Sequence, residues 1–113
     1  MRRTAPLCAC IVVGLSLFLD AARPGSGAVS PGVHQIVIEK MAFGAPPQAV
    51  HVGDTIVWTN KDIFRHSTTA DDMSFDVGIE PNSTARIVMQ RAGTFRYLCK
   101  YHPSMTSELI VEK

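Results

Sequence analysis

One-sided charge is missing from this 113-residue chain: 11 Lys plus Arg stand against 10 Asp plus Glu, and charged residues make up only 19%. A nucleic-acid binder neutralises phosphates with a clustered excess of Lys and Arg, so this balance argues against one. Aromatic residues are sparse at 7%. No uninterrupted apolar run reaches the roughly 20 residues that a helix needs to cross hydrocarbon. With three cysteines the chain has too few for a disulfide scaffold. It also lacks a Ser, His, Asp nucleophile arrangement, a phosphate-cradling glycine loop and paired catalytic carboxylates, which argues against an enzyme.

What is present begins with a leader. Arg2 and Arg3 precede an apolar run from Leu7 to Leu19. At about 13 residues this run suits the core of a secretory signal peptide and is too short for a membrane anchor. Ser26-Gly27-Ala28 places small residues at the two positions that favour cleavage, whereas Asp20 and Arg23 oppose earlier cuts. The expected division is a signal peptide over 1–28 and a domain over 29–113, exported to the periplasm. Removing 28 residues leaves 85, with 8 Lys plus Arg and 9 Asp plus Glu. Cys8 and Cys10 leave with the leader. Cys99 then stands alone in a compartment that oxidises thiols, and an unpaired exported cysteine wants an explanation: an inert buried thiol, an intermolecular disulfide or a metal ligand.

The remaining chain alternates apolar and polar residues in short runs separated by turn residues, which predicts strands rather than helices. The runs are His34–Glu39, Ala49–Val52, Thr55–Asn60, Arg65–Ala70, Ser83–Gln90, Thr94–Cys99 and Thr106–Glu112, with turns at Gly53-Asp54 and Ala92-Gly93. About seven strands in so small a chain imply an all-β sandwich of two sheets. Its predicted core is Ile36, Ile38, Val50, Val52, Ile56, Trp58, Ile87, Met89, Phe95, Tyr97, Leu109 and Val111, with Val57 on the opposite side of its strand. By the same alternation His34 and His51 are predicted to face solvent, and Asp71-Asp72 reads as a solvated turn.

The stretch Cys99-Lys100-Tyr101-His102-Pro103-Ser104-Met105 carries the chemistry. It offers a thiolate, an imidazole and a thioether where one strand ends and the last begins, and His66 at a strand boundary supplies a second imidazole. Cys-x-x-His alone is a weak signal. Two His, one Cys and a weak axial Met are together the donor set of a type 1 copper site. Cu(I) favours soft, low-coordinate sulfur and Cu(II) favours imidazole, so such a set suits both valences with little rearrangement. Pro103 stiffens the turn, since its φ is locked and it donates no hydrogen bond.

These residues resemble the cupredoxins, and among them the amicyanin-like and plastocyanin-like branch. The resemblance rests on the short spacing Cys99-x-x-His102-x-x-Met105, on Ile38-Glu39-Lys40-Met41-Ala42-Phe43, on Val52 to Asn60 and on Ala92 to Cys99. It implies a Greek-key sandwich with one copper at one end, held equatorially by His66, Cys99 and His102 and axially by Met105. It also implies that the His102 edge reaches the surface in an apolar patch, to which Pro103, Met41 and Phe43 are candidates here. The chain departs from the family pattern at Arg65-His66-Ser67, where an Asn that usually braces the ligand loop is replaced by Ser67. The Ser67 N–H is expected to reach the Cys99 sulfur, and its hydroxyl to take over part of the bracing. Lys100 and Tyr101 replace a frequent Thr-Pro, with Lys100 putting positive charge beside the site.

The expected function is a monomeric periplasmic one-electron carrier, cycling one copper between Cu(II) and Cu(I) and serving redox partners such as a dehydrogenase, a cytochrome or an oxidase. The alternative is copper delivery, storage or tolerance without an electron-transfer partner.

Overall fold

The computed structural model describes residues 30–113, together with Thr4 and Gly14. The leader assigned to 1–28, with Cys8 and Cys10, otherwise lies outside the described residues. No helix forms among the described residues. Nine strands do: β1 Val33–Glu39, β2 Ala42–Phe43, β3 Val50–His51, β4 Thr55–Asn60, β5 His66–Ala70, β6 Asp76–Ile79, β7 Thr84–Val88, β8 Gly93–Cys99 and β9 His102–Glu112.

All seven predicted runs form, with ends displaced by a few residues, and two further strands raise the count to nine. Strand β2 is only two residues long, and β6 contains Asp76 and Gly78, so neither presents an alternation long enough to read. The largest boundary change is β9, which begins at His102 rather than Thr106.

The strands form two sheets, ordered β2-β1-β4-β7 and β3-β9-β8-β5-β6. β1 runs parallel to β4 and β3 parallel to β9, while the other neighbours are antiparallel. Parallel neighbours need crossovers between the sheets, which closes the chain into the all-β sandwich expected for a cupredoxin. Where β3 leads into β4, the Asp54 N–H donates to the His51 carbonyl at 2.9 Å, closing a tight turn. Gly53 occupies its left-handed position with φ of 95°. Adding a Cβ there would strain the backbone.

Between the sheets Trp58 packs against Phe75 and Tyr97, with ring centroids 5.7 Å apart in each pair. Ile36, Ile38, Ile56, Leu109 and Val111 close the core around them. Ten of the twelve predicted core residues are buried. Ile87 is half-buried, and Val52 is 42% exposed because it sits in the tight turn, where strand alternation no longer governs direction. Val57 is buried despite its opposite parity, so β4 is covered on both faces. His34 is another departure: it is half-buried and its Nε2 lies 2.9 Å from Asp54. The prediction for His51 holds, since it is exposed, as are Asp71 and Asp72.

Candidate metal centre

The site is assembled where two loops meet at one end of the sandwich. Strand β8 delivers Cys99 fully buried, Lys100 and Tyr101 turn the chain, and β9 returns with His102 paired opposite Cys99. The ladder then resumes with Thr106 opposite Leu98. Pro103, Ser104 and Met105 therefore form an excursion between two regular registers, and Pro103 can sit there because it has no N–H to give to a ladder. Met105, at the inner end of this excursion, is buried.

The second loop joins β4 to β5 and presents His66. It is organised by Asn60, a fully buried side chain at the end of β4. The Asn60 amide donates to the carbonyls of Phe64 at 2.8 Å and Ile79 at 3.0 Å, while its oxygen accepts the Asp62 N–H at 2.9 Å. An open stretch of backbone is thereby pinned to a rigid strand.

Pairing of β5 with β8 brings His66 to Cys99. His66 Nδ1 lies 3.6 Å and His102 Nδ1 lies 3.7 Å from Cys99 Sγ. The donor atoms of the three residues lie within 4.8 Å of one another. First-row ions bind Cys sulfur at about 2.3 Å and His nitrogen at about 2.0 Å, which puts the S···N separation at about 3.5 Å for tetrahedral and about 3.7 Å for trigonal coordination. The observed S···N separations meet that requirement, so the three donors can converge on one metal ion. A thiolate, two imidazoles and a buried thioether select copper by ligand type. His66, Cys99, His102 and Met105 thus make a type 1 copper-like site.

The surroundings of these groups are equally specific. The Ser67 N–H donates to Cys99 Sγ at 3.3 Å, and the Ser67 hydroxyl accepts the Lys100 N–H at 2.9 Å. Ser67 thus ties the two ligand loops together, as expected of it. The positive charge that Lys100 was expected to bring is paired, because its ammonium lies 3.2 Å from Asp76. The Asp76 carboxyl is held below its usual range by the Thr69 hydroxyl first and by Lys100 second.

Asp62 was not singled out from sequence, yet its Oδ2 lies 2.8 Å from His66 Nε2. The same carboxylate accepts the backbone N–H groups of Lys40 at 2.8 Å and Met41 at 3.0 Å. Its partial burial opposes ionisation, but the bonds from His66, Met41 and Lys40 outweigh that and hold the carboxyl below its ordinary range.

His102 is half-buried, with its ring centroid 6.1 Å from that of Phe64 in an edge-to-face arrangement. Phe64 is 50% exposed and Ile63 83%. Met41 and Pro103 are exposed as the patch requires, but Phe43 is half-buried and packs edge-on against Tyr97 at 4.8 Å. Phe64 therefore supplies apolar surface that Phe43 does not. Ile63-Phe64 falls in an unpatterned loop, where sequence offers no parity rule to orient a side chain.

Comparison with known proteins agrees with this geometry. A family model described as a cupredoxin-like domain matches residues 8–111. Amicyanin-alpha of Methylorubrum extorquens is 28% identical over 110 residues, covering 87% of this chain and 92% of that protein. Amicyanin of Paracoccus denitrificans is 28% identical over 95 residues, covering 74% of this chain and 69% of that one. Among solved structures, the Cu(I) form of an amicyanin variant superposes with a TM-score of 0.63 at 27% identity, covering 75% of this chain and 87% of the other. A family match across nearly the whole chain, on the fold and donor set just described, makes this chain a member of the cupredoxin-like family, related to the amicyanins.

Proposed function

We propose that the protein is a blue copper electron carrier of the periplasm, in which His66, Cys99, His102 and the buried Met105 would hold the ion. Bound copper supplies a one-electron Cu(II)/Cu(I) couple. The observation that carries this reading is the preformed donor triangle, with both Nδ1 atoms 3.6–3.7 Å from the Cys99 sulfur. A site already arranged in the protein frame pays little reorganisation when the valence changes.

The residues around the triangle have distinct tasks. Asn60 and Ser67 hold the two ligand loops in register, which keeps the donors from spreading. Ser67 also places an N–H dipole against the sulfur, tempering its negative charge. Burial shields the Cys99 thiolate from oxidants, which accounts for a lone cysteine in an exported chain. Half-buried His102 offers a route to the surface beside Phe64, Met41 and Pro103, an apolar face suited to brief docking with a redox protein. This reading takes residues 1–28 as a cleaved leader and the mature chain as a monomer that is not an enzyme.

Copper loading of the full-length and secreted forms, followed by optical and electron-paramagnetic spectroscopy and a redox titration, tests the proposal. An intense thiolate-to-Cu(II) band and a reversible one-electron couple are expected. A colourless protein that holds only Cu(I) and surrenders it to a chelator would replace electron transfer with copper delivery.

A further inference from the structure

We propose that Asp62 is the positioning residue of the copper site: its carboxylate sets the tautomer and orientation of His66 and biases the site toward Cu(II). This rests on the copper reading above, with His66 as a ligand.

An ionised carboxylate can only accept hydrogen bonds. The 2.8 Å contact between Asp62 Oδ2 and His66 Nε2 therefore puts the ring hydrogen on Nε2 and leaves the Nδ1 lone pair free on the side facing Cys99. The ring is fully buried. Its alternative tautomer would set a lone pair against the carboxylate and an N–H against the thiolate site.

The carboxylate is itself held. Lys40 and Met41 form the turn between β1 and β2, with φ of 52° and 59°. This left-handed pair directs two successive N–H groups at Asp62, one to each oxygen. The Asp62 backbone N–H is tied to Asn60. Three donors therefore converge on the carboxylate, and the residue's own backbone is anchored to β4. Rotation of Asp62 away from His66 would break bonds to a separate hairpin. His102 differs: among the described residues no protein group bonds its Nε2, and its ring edge meets Phe64 instead.

The electrostatic consequence follows from ion charge. A negative charge in contact with a ligand makes that imidazole a stronger donor and stabilises a dication more than a monocation. Removing it should weaken Cu(II) binding more than Cu(I) binding. Partners of this kind are worth about 10- to 100-fold in metal affinity. The lower end, falling on Cu(II) alone, raises the reduction potential by about 59 mV for a one-electron couple.

The experiment compares wild type, Asp62→Asn and Asp62→Glu, each loaded with copper. Redox titration and chelator competition give the Cu(II)/Cu(I) affinity ratio, and 15N shifts of the copper-free wild type give the His66 tautomer. Asp62→Asn should keep its thiolate band while the ratio falls about tenfold, and Asp62→Glu, which keeps the charge, should stay near wild type. His66 should carry its hydrogen on Nε2 in the copper-free protein, a result that needs no variant to fold. An unchanged ratio in Asp62→Asn, equal shifts in both variants, or an Nδ1–H tautomer would overturn the proposal while leaving a blue wild type intact. Absence of a thiolate band in wild type itself would remove the copper reading and this one with it.

Discussion

Replacing Asn60 by Ala separates the frame of the site from its metal. The substitution deletes the amide that donates to the Phe64, Ile79 and Glu80 carbonyls, and the acceptor for the Asp62 N–H. Each such bond contributes about 1 kcal/mol net, and a buried group left without its partner costs about 1–3 kcal/mol. The Glu80 contact is long at 3.3 Å and adds little, so the three shorter bonds, with the Ile79 carbonyl buried deepest, make the expected loss about 3–4 kcal/mol. That is a large share of the roughly 5–15 kcal/mol by which small domains are stable. Urea unfolding of copper-free protein, followed by Trp58 fluorescence, measures it without the contribution of metal binding. The unfolding midpoint should fall with an unchanged denaturant slope. Copper-loaded Asn60→Ala should also show a broadened thiolate band, because residues 61–65 no longer hold His66 at one position. A loss below about 0.5 kcal/mol, the range of ordinary surface substitutions, would refute the claim that Asn60 organises this loop.

Three other expectations follow from the same geometry. Ser67→Ala should cost about 1–2 kcal/mol in urea unfolding, because the Lys100 N–H loses its acceptor, yet keep the thiolate band, because the Ser67 backbone N–H still reaches Cys99; loss of the band would show that the hydroxyl, not the backbone, supports the sulfur. Copper at a hundred times its dissociation constant should stabilise wild type by about 2.7 kcal/mol, and Cys99→Ala should lose most of that gain, so equal stabilisation of both proteins would exclude Cys99 as a ligand. Asp54 has its carboxyl lowered from its ordinary 3.8 to about 2 by the hydrogen bond from His34, then by those from the His51 and Gly32 backbones. A depressed folded-state pKa contributes stability above the unfolded value that is lost as pH falls, here between about pH 4 and pH 2. Thermal melts of copper-free wild type should steepen their fall across that window, and Asp54→Asn should flatten it; parallel profiles would contradict the assignment.

Much of this protein can be read from local sequence. Alternation of side chains is a property of each strand by itself, so β1, β4, β8 and most of the core were legible in runs such as Gln35-Ile36-Val37-Ile38. The donor types were legible too, because Cys99, His102 and Met105 lie within seven residues and soft-plus-imidazole ligation is a chemical property of those side chains. Alternation fails where a turn or excursion redirects the chain, as at Val52. It also fails where a strand is covered on both faces, as at Val57, and where a short strand such as β6 carries Asp and Gly.

The identity of the donors was thus determined by the sequence alone, while their convergence was decided by tertiary structure. His66 and Cys99 are brought within 3.6 Å by the pairing of β5 with β8, a contact between residues 33 positions apart. Asn60 and Asp62 had no role assigned from sequence, and Ser67 had one only through the cupredoxin resemblance, because a hydrogen bond depends on the position and direction of two groups that meet only when the sheets close. Residue type limits which bonds a side chain can make, and the fold selects the partner that receives them.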